Sequence, residues 1–305
     1  MTVPETAHTA ALDPQRSPPS TPERATLSTV EERVRAQARE RLRQAEDILR
    51  SIDAEWTPPP YDPLLIAQAL GIRCVPVNVP WVQDAMILVM GGEPVIYYRP
   101  GKDEARLRFS LFHEIAHTLF PDFRFNPRYD AAHRPRLLEP AGRLEHLCDV
   151  AAYELMMPMD RFRRDLAGTC FGADAVRTLC LRYGAGEEHV AVRMVETDTA
   201  CYCVSRLENA RTTRQDGRRQ MRVVYSMATT VCRSRGFTLP ASLQLPRRSC
   251  VLLASRSRKQ TAGEEVLDLG QGRLQRFRIE ALPLRRGVRR RGLSPVLAFL
   301  YPLST

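Results

Sequence analysis

Lysine is nearly absent from this sequence. Lys102 and Lys259 are the only two, so arginine supplies almost all of the 45 basic residues. A replacement that runs through the whole chain points to a coding bias rather than to selection for phosphate contacts. Long apolar runs are missing as well. The stretch 85–90, AMILVM, is among the longest, far below the roughly 20 residues that a membrane-crossing helix needs, which excludes one. The first residues, MTVPETAHTAALDPQRSPPS, have no basic start followed by an apolar stretch. No secretory signal is expected, and the cytoplasm is the expected location. The eight cysteines form no dense framework, which fits a reducing compartment with free thiols.

What remains is the make-up of an ordinary soluble globular protein, 44% hydrophobic and 26% charged over 305 residues. That length accommodates two domains and a core that needs no staples. Charge is unevenly placed: residues 205–305 hold 21 Lys+Arg against 6 Asp+Glu, while the other 204 hold 24 against 29. A basic C-terminal third raises nucleic acid as a partner, with coding bias as the plainer account.

Residues 1–28 are rich in Pro, Thr and Ser and poor in apolar groups, so a disordered arm is expected. A helix should start at Ser28, with Glu31 and Glu32 in its first turn, and run to about Ile52. Val30, Val34, Ala38, Leu42, Ala45 and Leu49 lie near one side of it. After the breaker Trp56–Pro60, a short helix over 63–70 ends at Gly71. Residues 72–79, 85–90 and 95–98 are β-rich, and Gly91-Gly92 reads as a hairpin turn. Asp103 caps a helix to Phe120; further helices are expected over 140–157, after an Asp160 cap, near 173–183 and near 187–196. From about 200 the pattern changes to short β-like runs at 201–206, 222–231, 250–254, 274–281 and 295–301.

Inside the helix ending at Phe120 stands His113-Glu114-Ile115-Ala116-His117. Positions i and i+4 share one helical face, so two imidazoles can reach one ion about 2 Å from each nitrogen. Glu114, one residue on, sits beside such an ion, where a carboxylate can take a proton from water. A catalytic zinc needs a third protein ligand and an open fourth position. Glu145 shares a stripe with Cys148, Ala152, Leu155 and Met156, an expensive place for a carboxylate unless it is paired or metal-bound. His146, Asp149 and the loop residue His133 are the alternatives.

The segment RFSLFHEIAHTLF, followed 28 residues after His117 by Glu145 in EHLCDVAAYELMMP, resembles the ImmA/IrrE metallopeptidases. The family's common second segment is of the type E-x-x-A-N-x-F-A-x-x-L-L-M-P; Cys148 and Asp149 stand here where Ala and Asn are common. The resemblance covers about residues 60–200 well and the C-terminal part loosely. It implies a zincin-like fold, one zinc ion (manganese being the alternative in the cell) on His113, His117 and Glu145, and Glu114 as general base. It further implies cleavage of a helix-turn-helix repressor of the XRE type, releasing stress-response or mobile-element genes.

The expected architecture is α+β. A disordered arm (1–28) precedes a zincin-like metallopeptidase core (29–158), a helical helix-turn-helix-like module (159–198) and a β-rich regulatory or sensing domain (199–305). As a DNA reader the helical module is weak: its second helix opens with Glu187-Glu188, and only Arg193 is placed to meet a base. Cys201 and Cys203 alternate on a strand and read as structural thiols, with a redox role as the alternative. The basic run Arg285–Arg291 either steers an acidic or DNA-bound partner or is a solvated loop. Direct DNA binding is expected to be weak, and no membrane partner is expected. The alternative function is a DNA-binding transcription regulator with a structural metal site.

Overall fold

The structure, a computed structural model, describes residues 21–101, 103–120, 140–169, 171–209, 221–237, 239–240, 243, 245–246, 248–270, 272–284 and 294–303. His133 and the run Arg285–Arg291 lie outside these residues, as does the arm up to residue 20. Two units divide the chain. The first comprises residues 19–169 with 177–190, and the second is built from 170–176 and 191–305.

The first unit begins with α1 (Thr21–Ile52). This helix starts seven residues before the expected Ser28. Of the expected stripe, Val34, Ala38, Leu42, Ala45 and Leu49 are buried. Asp62 then caps α2 (Pro63–Ala69) by accepting from Leu64 N at 2.8 Å. The following β1 (Arg73–Pro76), β2 (Ala85–Met90) and β3 (Glu93–Tyr98) form a sheet of order β1-β3-β2, with β1 parallel and β2 antiparallel to β3. Gly91 and Gly92 both take positive φ, 62° and 89°, which the tight β2–β3 turn requires and only glycine adopts without strain.

Two helices build the floor of the site. In α3 (Glu104–His117) the cap is Asp103, whose side chain accepts from Arg106 N at 3.3 Å. The helix closes three residues before the expected Phe120. Thr118 Oγ1 donates to Ile115 O at 2.7 Å, and the N–H groups of Leu119 and Phe120 donate three residues back, which tightens the end into a turn. Its partner α4 (Pro140–Met156) packs along it. Phe112, Ile115, Leu155 and Met156 are buried, each contributing about 1.5–3 kcal/mol of apolar transfer. Next, α5 (Met159–Ala167) starts on the side chain of the fully buried Glu154, which accepts from Met159 N at 3.1 Å, rather than on Asp160. The helices α6 (Ala173–Tyr183) and α7 (Glu187–Thr197) lie where expected.

The second unit is an antiparallel sheet of order β5-β4-β8-β7-β6, formed by β4 (Cys203–Asn209), β5 (Met221–Ala228), β6 (Thr261–Asp268), β7 (Leu274–Pro283) and β8 (Val296–Pro302). Two helices, α8 (Thr230–Ser234) and α9 (Cys250–Ser257), cover an apolar cluster that includes Leu207, Val223, Phe277, Ile279 and Leu300. Residues 250–254 are therefore helical, not a strand. Ser249 accepts from Val251 N at 3.2 Å as the cap, and a five-residue apolar run does not distinguish the two states. The strand β6 escaped the sequence reading because its apolar groups are diluted by Gly and Glu, as suits a sheet edge. Cys203 and Cys232 are buried with their sulfurs 3.3 Å apart, and Cys203 Sγ also donates to Phe237 O at 2.8 Å. Burial pushes the nearby Cys201 thiol up to about 11, in keeping with a protonated structural thiol. Among the described residues no helix is long and apolar enough to cross a membrane.

Candidate metal centre

The last turns of α3 carry His113 and His117 on one face, their ring centroids 5.0 Å apart. Glu145 comes to them from the first half of α4. His113 Nε2 lies 3.0 Å from Glu145 Oε2, and His117 Nε2 lies 3.4 Å from Glu145 Oε1. One ligand atom from each of the three side chains lies within 4.8 Å of the others. All three are mostly buried, with side chains 15%, 14% and 28% exposed. Two imidazole nitrogens and one carboxylate oxygen are a donor set suited to zinc, and three protein ligands leave a further position for water or substrate. Among the described residues no fourth side chain joins the group. The residues present thus fit a divalent cation of this kind.

The alternatives for the third ligand fall elsewhere. His146, on the neighbouring face of α4, lies 2.7 Å from Glu31 of α1. Burial opposes the Glu31 charge, but His146 and Arg35 outweigh it and hold its carboxyl below the usual range. Asp149 meets His113 on the far side of the ring, with its Oδ1 2.9 Å from Nδ1. A carboxylate there accepts a hydrogen bond from Nδ1–H and leaves Nε2 available to a cation, the usual support for a histidine that binds one. Burial works against the His113 imidazolium, yet the hydrogen bonds to Asp149 and Glu145 prevail and raise its pKa well above the ordinary value. For His117 burial wins, helped by the charge of His113 against that of Glu114, and its pKa is lowered.

Glu114 is held from the sheet. Its Oε2 accepts from the backbone N–H of Ile87 at 2.9 Å. Ile87 belongs to β2, the edge strand, so this N–H is turned away from β3 and toward α3. The start of β2 is tied to the same helix by Arg106, whose Nε donates to Asp84 Oδ2 at 2.8 Å. One turn before His113, Phe109 stacks on His189 of α7 at 4.1 Å, and Tyr153 meets both rings. Burial lowers the His189 pKa to about 4 against the opposing charges of Asp149 and Asp103. This neutral histidine beside the site had no signal in the sequence, since its helix read as packing or substrate docking. Within α7, Arg193 is fully buried and donates to Glu196 at 2.7 Å, which removes the one side chain expected to meet a base.

The His-Glu-x-x-His helix and the carboxylate from the next helix together make a group that could hold a metal ion. Residues 67–194 match the family model Peptidase M78, the IrrE N-terminal-like domain. This segment thus resembles the IrrE N-terminal-like domain, a metallopeptidase-family domain. No curated protein matches the sequence. A solved structure described as a Mycobacterium tuberculosis transcriptional regulator is similar at 14% identity and a TM-score of 0.50, over 92% of this chain and 94% of that one. At such identity the likeness speaks for the α+β fold alone. Another, from work on a flavin analogue and light-oxygen-voltage domain mechanism, has 14% identity over 37% of this chain and 84% of that one, and its TM-score of 0.24 carries no argument.

Proposed function

We propose that the protein is a zinc-dependent endopeptidase of the cytoplasm that cleaves a helix-turn-helix repressor of the XRE type and so releases stress-response or mobile-element genes. The observation that carries this reading is the convergence of His113, His117 and Glu145 within 4.8 Å, with Glu114 fixed beside them by an edge strand. His113, His117 and Glu145 would hold the ion, zinc or in the cell manganese. Bound there, the ion supplies Lewis-acid polarisation of a carbonyl and of water. Glu114 is the general base: with Oε2 engaged by Ile87 N–H, its carboxylate takes the proton of the attacking water and returns it to the leaving amine. The outer edge of β2 receives the substrate as an added strand. Residues 29–158 form the catalytic core, 159–198 a helical module for packing or substrate docking, and 199–305 a regulatory domain.

The description of the structural neighbour as a transcriptional regulator supports a regulatory setting. The rival reading, a DNA-binding regulator with a structural metal, is disfavoured by the burial of Arg193 and by a ligand group that, among the described residues, numbers three rather than four. The test is to incubate the zinc-loaded protein with an XRE-type repressor from the same genome and look for a single cut by mass spectrometry. The expected result is one cut, absent with Glu114→Gln. An intact repressor under every metal condition contradicts the proposal.

A further inference from the structure

Cys148, where this chain departs from the alanine common in the family it resembles, touches one of the candidate ligands. Cys148 and Asp149 are consecutive in α4, and each reaches a different histidine on the ring nitrogen opposite the one facing Glu145. Asp149 Oδ1 lies 2.9 Å from His113 Nδ1, and Cys148 Sγ lies 3.5 Å from His117 Nδ1. The two Nε2 atoms face Glu145 at 3.0 Å and 3.4 Å. Cys148 is completely buried and does not belong to the group of ligand atoms that lie within 4.8 Å of one another. Its sulfur is therefore not placed as a fourth ligand.

A histidine that binds a cation through Nε2 carries its own proton on Nδ1, and the acceptor of that proton sets the ring's tautomer and orientation. At His117 that acceptor is a thiol sulfur, a weak but competent one. We propose that Cys148 is a positioning residue of the metal centre: its sulfur accepts the Nδ1–H of His117 and holds the ring with Nε2 toward the ion. The role rests on the metal-centre reading above and adds to it. Alanine at this position offers His117 no acceptor, so the two ligand histidines of this chain are both supported from one turn of α4, by a carboxylate and by a thiol.

The experiment uses the full-length protein and its Cys148→Ala and Cys148→Ser variants. Zinc affinity is measured by competition with a chelator, long-range imidazole NMR reads the His117 tautomer, and the protein loaded with cadmium reports directly bound sulfur through its metal resonance. Loss of a hydrogen-bond partner to a ligand histidine costs 10–100-fold in metal affinity, and a thiol belongs at the lower end. The expected result is a loss of about tenfold in Cys148→Ala, disappearance of the slowly exchanging His117 Nδ1–H signal, and retention of the His113 signal. Cys148→Ser should restore part of both. Unchanged affinity together with an unchanged His117 signal in Cys148→Ala overturns the role alone. A cadmium resonance showing bound sulfur in the wild type also overturns it, by making Cys148 a ligand. If the wild type binds no ion, the metal centre itself fails and the role falls with it.

Discussion

Asp149 Oδ1 stands 2.9 Å from His113 Nδ1, on the side of the imidazole away from Glu145. In the proposed centre this contact makes Asp149 a support for a ligand and not the ligand itself. Replacing it with alanine should weaken zinc binding by about 10–100-fold, the usual effect of removing such a support, while leaving the ion stoichiometry at saturating metal unchanged. Chelator competition checks this. An affinity equal to wild type would mean that His113 needs no partner on Nδ1.

His189 gives a pH dependence with a definite sign. Folding lowers its pKa from 6.5 to about 4, so the unfolded chain takes up the proton first. Above pH 6.5 the group contributes no pH dependence; as pH falls toward 4 it costs stability, by roughly 2–3 kcal/mol at most. His189→Phe keeps the stack on Phe109 but cannot be protonated. Denaturant melts in excess chelator should show a shallower loss of stability between pH 6.5 and 4 for the variant than for wild type. Parallel profiles would contradict the neutral, buried histidine.

Gly184 adopts φ +60°, and a Cβ added there would stand 2.7 Å from Arg108 Nε. Arg108 in turn donates to Tyr61 O, so it has little room to withdraw. Gly184→Ala should therefore cost about 1–3 kcal/mol, from left-handed backbone strain and displacement of the guanidinium. Thermal or denaturant unfolding would show it, and a neutral substitution would contradict the packing described.

Features governed by local rules are legible in the sequence. Asp62, Asp103 and the Gly91-Gly92 pair announce their caps and turn by residue type, and His113, Glu114 and His117 announce the candidate metal-binding face by spacing. Glu145 was legible as a carboxylate stranded on an apolar stripe. What escaped depends on contacts between distant segments. Asp149 and His146 are both polar residues near Glu145, and only the rotation of α4 against α3 and α1 sends one to His113 and the other to Glu31. The same holds for His189 on Phe109 and for Cys232 beside Cys203, 29 positions away. In the second unit, α9 and β6 were misread because a short apolar run and a charged edge strand carry little periodicity of their own.

The proposed hold of one ion by His113, His117 and Glu145 is read most directly from the metal content of wild type and three variants after dialysis, measured by plasma mass spectrometry. Wild type and Glu114→Gln should hold about one zinc per chain, since the base is not a ligand. Glu145→Ala removes one of three ligands and should lose the ion on dialysis, with some loss of stability because binding contributes to the folded state. His146→Ala, whose side chain faces Glu31 instead, should keep it. Full zinc in Glu145→Ala together with loss in His146→Ala would contradict the centre described here.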